Sequence, residues 1–166
     1  MEKVSVNGLS LAVHEWAGKG PAVVSVHGLT ANHTCWQSMA DALVPDYRLI
    51  AYDLRGRGES DKPPKGYSLE IHAQDLGALL DHFGLKSAVI MGHSLGAHIG
   101  LYFAAHFPKR VRKLILVDGG IDVRAEILDS LAPAINRLGI EFPSIEMFLQ
   151  MLQALPMFAG RWNDYL

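Results

Sequence analysis

The sequence predicts an α/β protein, a mostly parallel sheet with helices on both faces. Three observations carry that reading. Short apolar runs rich in β-branched residues alternate with segments whose apolar residues recur at helical spacing. Gly, Pro and Asn-Gly punctuate the joins between them. The order strand, helix, strand repeats, and that order builds βαβ units whose sheet is covered on both sides.

Taken in order, residues 4–6 and 9–15 alternate apolar and polar around Asn7-Gly8, a dipeptide that tolerates positive φ and closes a hairpin. A turn at residues 18–21 leads to a strand at 22–26. A loop and a helix near 36–43 follow, stopped around Pro45, and then a strand at 48–52. Ser68 is placed to cap a helix carrying Leu69, Ala73, Leu76, Leu79, Leu80 and Phe83, with Gly84 ending it. Residues 87–91 form a strand, 95–107 a helix ended by Pro108, and 112–117 a strand again. Connections in such units are right-handed, and ligands gather outside the carboxyl ends of the strands. From Ile121 the character changes. Ile127, Leu131, Ile135 and Leu138, then Ile145, Phe148, Leu149, Met151, Leu152 and Leu155, recur at helical spacing with no strand between them. Pro133, Pro143 and Pro156 break the pattern into short pieces. Periodicity alone fits either core-facing helices or a lid over the strand ends.

Composition removes several function classes. A hydrophobic fraction of 49% with 19% charged residues excludes a disordered chain, and 166 residues suffice for a real core. Net charge is −2 with no basic stripe, so nucleic acid is not an expected partner. Apolar runs such as residues 114–117 are too short to cross a bilayer, and Met1-Glu2-Lys3 opens no secretory signal. Cys35 is the only cysteine, which forbids an internal disulfide and suits a reducing, cytoplasmic setting. It reads as a buried small hydrophobe rather than a nucleophile. No cofactor or metal is expected. Gly56-Arg57-Gly58 lacks the third glycine and helix start of a dinucleotide site, and no Gly-Lys-Ser/Thr occurs.

The chemistry concentrates at Gly92-His93-Ser94-Leu95-Gly96, a G-x-S-x-G between a strand and a helix. A serine on so sharp a turn needs small residues two places to either side, or the chain cannot pass. The turn lifts the hydroxyl above the sheet, and the helix start behind it favours developing negative charge. His27-Gly28-Leu29 directly follows the strand ending at Val26. Acyl transfer needs two backbone N–H groups aimed at the tetrahedral oxyanion. Those of Leu29 and Leu95 are the candidates.

His27-Gly28-Leu29-Thr30 with Trp36 following, Asp53-Leu54-Arg55-Gly56-Arg57-Gly58-Glu59-Ser60, and Gly92-His93-Ser94-Leu95-Gly96-Ala97 together resemble the α/β-hydrolase fold superfamily, in its usual order and spacing. The likeness is to the branch of carboxylesterases, enol-lactone hydrolases and C–C hydrolases, and spans about residues 5 to 120. It implies an N-terminal part of the hydrolase core at residues 1–120 and the start of a helical cap at 121–166. It implies Ser94 as nucleophile, the Leu29 and Leu95 amides as oxyanion hole, and Asp53, Arg55, Gly56 and Gly58 as braces of the loop after the fourth strand.

A serine nucleophile needs a histidine base and a carboxylate to orient it. Downstream of Ser94 the only histidines are His98 and His106, on the helix that it opens. His93 immediately precedes the serine and should point away from it. His27 and His33 lie on the oxyanion loop, while His14, His72 and His82 read as surface positions. Asp118 and Asp122 follow the last strand, and Asp118 is the candidate acid. The expectation is therefore a serine hydrolase of an ester or related acyl bond, with a small hydrophobic substrate. Its histidine would come from a second polypeptide segment that also completes the sheet. The alternative is an inactive homologue used as a ligand-binding or interaction domain.

Overall fold

The computed structural model describes residues 1–119, 132–155 and 160. The first of its two compact units, Met1–Val123, holds six strands: β1 (Glu2–Val6), β2 (Leu9–Trp16), β3 (Ala22–Val26), β4 (Arg48–Tyr52), β5 (Ala88–His93) and β6 (Val111–Val117). It also holds three α-helices: α1 (Gln37–Leu43), α2 (Leu69–His82) and α3 (Leu95–His106). The sheet order is β1-β2-β4-β3-β5-β6. The β1–β2 and β2–β4 pairs are antiparallel, and all the others are parallel.

Local chemistry accounts for the elements. Asn7 (φ 48°) and Gly8 (φ 75°) both take the positive φ that a two-residue hairpin demands. The Ser68 side chain accepts from the Ile71 amide and caps α2, while Gly84 (φ 65°) follows its end. Strand side chains then alternate between two cores. Val24, Val26, Ile50, Tyr52 and Ile90 face α2 and α3, packing with Leu76, Leu79, Leu80 and Phe103. Val23, Leu49, Ala51 and Met91 face the other way, against Trp36 and Ala40. With both faces covered, the strands do read as apolar runs.

Two residues differ from the sequence expectation. His72 is 3% exposed, not at the surface, because helical spacing puts it on the same side as Ala73, Leu76, Leu79 and Leu80. Cys35 is exposed, not buried, since the short 3₁₀ turn His33–Trp36 turns Trp36 inward and leaves its neighbour outside.

Among the described residues no strand pairs with the outer edge of β6. Ile115, Leu116 and Val117 are 42%, 40% and 38% exposed. An apolar groove of about 530 Å³ runs between α1 and β6, lined by Val23, Met39, Leu43, Met91, Ile115 and Val117 among others. The second unit, Arg124–Leu166, contains α4 (Ile145–Gln153), capped by Ser144 and amphipathic in sequence, with Ile145 and Met147 exposed. Ile121, Asp122, Ile127, Leu131 and Pro156 lie outside the described residues. Among the described residues no helix is long and apolar enough to cross a membrane.

Candidate active site

Ser94 sits between β5 and α3 with φ 51° and ψ −114°, a backbone conformation costing an L-residue roughly 1–3 kcal/mol. Hydrogen bonds on both sides hold it there. The Ser94 N–H donates to the Val117 carbonyl at 3.1 Å, and the Ser94 carbonyl accepts from the Ala97 N–H at 2.9 Å. The His98 ring adds Nδ1–H donation to that same carbonyl at 3.0 Å. The flanking glycines have no substitute. A Cβ on Gly92 would lie 2.2 Å from the Gly96 carbonyl oxygen, and one on Gly96 would lie 2.0 Å from that of Val26.

The loop after β3 passes directly against this turn. A Cβ on Gly28 would lie 3.4 Å from the Ser94 Cβ and 3.0 Å from His93 Nδ1. Leu29 follows, so the chain delivers its amide beside the serine. Neither the Leu29 nor the Leu95 N–H is spent on an acceptor among the described residues. Two unspent donors next to a strained hydroxyl can stabilise an oxyanion.

His27 braces this loop from below. It is fully buried, its Nδ1–H donates to the Gly28 carbonyl at 2.7 Å, and its Nε2 accepts from the Leu54 N–H at 2.9 Å. Burial pushes its pKa down to about 4, so the ring is neutral at pH 7 and both nitrogens are committed. The loop after β4 contributes more. Burial would raise Asp53, but the Glu59 and His33 amides and the His33 ring overcome that and leave it below its ordinary value. Gly58 is required there, because a Cβ would lie 2.0 Å from Asp53 Oδ2. Arg55 is spent on Asp75 through Nε (2.6 Å) and Nη2 (2.7 Å). Arg57, which sequence reasoning passed over, donates from Nε to the Leu29 carbonyl at 2.6 Å. The buried depth of His27 and the aim of Arg57 left no signal in the sequence beyond their places in two turns.

All eight histidines lie among the described residues, and none bonds the Ser94 hydroxyl. His33 Nδ1–H donates to Asp53 at 2.8 Å, and His106 Nδ1–H donates to the Tyr102 carbonyl at 2.9 Å. His72 is buried, and burial lowers it to about 4. His93 Nε2 stands 4.0 Å from Asp118 Oδ2. Asp118 itself follows β6 with φ 46° and a side chain 92% exposed, so its carboxylate is in solvent rather than against a histidine inside the site. Cys35 offers no second nucleophile: although the residue as a whole is open to solvent, the protein packed around its thiol and the nearby Asp53 charge raise that thiol to about 11. No cluster of three or more His, Cys, Asp or Glu able to hold a metal occurs among the described residues.

Comparison with known proteins assigns the chain to a family. The 2-(acetamidomethylene)succinate hydrolase of Mesorhizobium japonicum is 32% identical over 150 residues, covering 89% of this chain and 54% of that protein. A putative carbamate hydrolase of Caulobacter segnis is 36% identical over 118 residues, 69% of this chain and 44% of that protein. Among solved structures, an E-2-(acetamidomethylene)succinate hydrolase superposes with a TM-score of 0.85 at 32% identity, covering 92% of this chain and 56% of the other. An N-formylmaleamic acid deformylase from Pseudomonas putida gives 0.67 at 30% identity over 73% of this chain and 47% of the other. The chain thus spans about half the length of the relatives it matches. The profile of the alpha/beta hydrolase fold matches residues 21–159, and the chain belongs to that family.

Proposed function

We propose that Ser94 is the nucleophile of a hydrolase that cleaves an acyl bond through an acyl-enzyme. The observation that carries this is the strained Ser94 conformation with two unspent amides beside it. A turn costing roughly 1–3 kcal/mol is not kept for packing alone. The Ser94 oxygen attacks the carbonyl carbon while its proton passes to a general base. The Leu29 and Leu95 N–H groups take the charge on the carbonyl oxygen. Collapse expels the leaving group, which receives the proton, and water repeats the sequence to free the acid. None of the eight histidines is placed to be that base, so it comes from a polypeptide segment outside residues 1–166. Asp118 remains the candidate acid once such a histidine is present. Residues 121–166 are read, from the sequence resemblance, as the start of a helical cap. The relatives' names, a hydrolase of an acetamidomethylene succinate, a putative carbamate hydrolase and a deformylase, support amide-type acyl bonds beside the ester expected from the sequence, and two of them denote carboxylic acids.

The test is Ser94→Ala in the catalytically complete protein, with p-nitrophenyl acetate as substrate. Turnover should fall by at least ~1,000-fold, to a residual set by binding and the oxyanion hole. Retention of a tenth of the activity would remove the assignment. The absence of a placed histidine also favours a second reading, an inactive binding domain. A complete protein without turnover on any ester or amide, yet retaining ligand affinity, would support that reading.

A further inference from the structure

We propose that Arg57 binds a carboxylate on the acyl part of the substrate, so that the enzyme takes a dicarboxylic acid half-ester or half-amide. The proposal rests on the reading of Ser94 as nucleophile and names the substrate class of that same site. One turn holds two arginines in contrasting states. Arg55 and Arg57 stand two residues apart. Arg55 is 7% exposed and locked to both oxygens of the buried Asp75 carboxylate, with its remaining Nη1 on the Gly66 carbonyl. Arg57 is half-buried, and its only partners among the described residues are two neutral carbonyl oxygens, those of Leu29 (2.6 Å) and Gly56 (3.0 Å). Asp53 is committed elsewhere, accepting from the His33 amide and ring and from the Glu59 amide. The neighbouring histidines His27 and His72 are both held neutral by burial, with the Arg57 charge contributing. Three of five guanidinium N–H groups and the whole positive charge of Arg57 are thus left for something else.

Position says what that is. Arg57 grips the carbonyl of the residue whose amide is the first oxyanion donor. Backbone dimensions then place its Nε within roughly 6 Å of the Leu29 nitrogen. The reacting carbonyl oxygen lies about 3 Å from that nitrogen. A carboxylate within hydrogen-bond reach of Arg57 is therefore only a few carbons from the scissile carbonyl, a range that succinyl and glutaryl groups span. A planar guanidinium fork in a partly desolvated site recognises a carboxylate better than a lysine would. A charged acyl group of this kind differs from the small hydrophobic substrate expected from the sequence.

The test compares wild type with Arg57→Met in the catalytically complete protein on monoethyl succinate, monoethyl glutarate and the neutral ethyl butyrate. The kcat/KM for the better half-ester should fall by about 10- to 100-fold more than that for ethyl butyrate, whose own fall reads the loss of the Leu29 carbonyl brace. Arg57→Lys should restore part of the loss. Equal losses on charged and neutral esters would overturn the proposal, leaving Arg57 only as a brace of the Leu29 carbonyl, and so would no loss on either. A second arm does not depend on the nucleophile. Succinate and glutarate binding to the Ser94→Ala protein, measured by calorimetry, should weaken at least ~10-fold on adding Arg57→Met. Binding indifferent to Arg57 would overturn the proposal, whereas turnover surviving Ser94→Ala would sink only the nucleophile assignment.

Discussion

The two hydrogen bonds of His27 fix more than its tautomer. In a trans peptide the C=O and the following N–H point in opposite directions. By holding the Gly28 carbonyl at 2.7 Å, the ring also fixes where the Leu29 N–H points, which is away from the histidine. His27→Leu should therefore lower kcat by about 10- to 100-fold with little change in KM, because an oxyanion donor acts in the transition state. A fall confined to KM would show that the ring does not orient the amide. The same burial makes an acid-stability prediction. The His27 pKa is about 4 in the fold against 6.5 unfolded, so the unfolded chain binds the extra proton as pH falls through that window. Stability from this group is complete above about pH 6.5, declines toward pH 4, and amounts to on the order of 3 kcal/mol. His72 acts in the same direction. Denaturant midpoints at pH 7 and pH 4.5 should differ less in His27→Leu than in wild type. Gly92-His93-Ser94-Leu95-Gly96 was legible at this scale because its spacing is itself a steric rule. His27 and Arg57 were not, since one-dimensional spacing carries neither depth nor aim.

Among the elements, the loops after β3, β4 and β5 form one interlocked cluster at the carboxyl ends of parallel strands, where such sheets place their ligands. The β3 loop is pinned by Leu54 and Arg57 from the β4 loop, and the elbow is pinned by Val117 at the end of β6. Gly96 is the keystone, since its α-carbon faces the Val26 carbonyl with no room for a methyl group. Gly96→Ala must push the end of β3 and the start of α3 apart. It should cost about 3 kcal/mol or prevent folding, while Gly84→Ala, with open space around it, should show only the milder penalty of a positive φ, about 1 kcal/mol. Melting temperatures compare the two, and equal shifts would contradict the close approach. Element type and place were legible because the helix and strand periods differ and because caps such as Ser68 and Gly84 mark the ends. The inward turn of His72 was recoverable from the same helical spacing, since it falls in line with Leu76, Leu79 and Leu80.

At the scale of the molecule, the strand order was not legible, since pairing of β3 between β4 and β5 depends on contacts far apart in sequence. That order explains what is left uncovered. The crossovers β4–α2–β5 and β5–α3–β6 both use one face, and only β3–α1–β4 uses the other. A further strand beside β6, joined by a right-handed crossover, would bring its helix to the α2 and α3 face again. The 530 Å³ groove beside α1 would then be filled only by a helix that follows such a strand and folds back. The segment we expect to supply the catalytic histidine therefore has two structural tasks, pairing with β6 and covering Ile115, Val117 and Met39. Ile115→Lys separates these expectations. In the isolated chain Ile115 is 42% exposed, so the substitution should leave stability within about 0.5 kcal/mol and reduce self-association at the open edge. In the complete protein the same lysine would be desolvated against the covering segment and should cost at least ~2 kcal/mol. Denaturant unfolding of both forms, with light scattering of the isolated chain, measures each quantity. An equal cost in the two forms would mean that nothing packs on this face, and with it the case for a completing segment at β6 would fall.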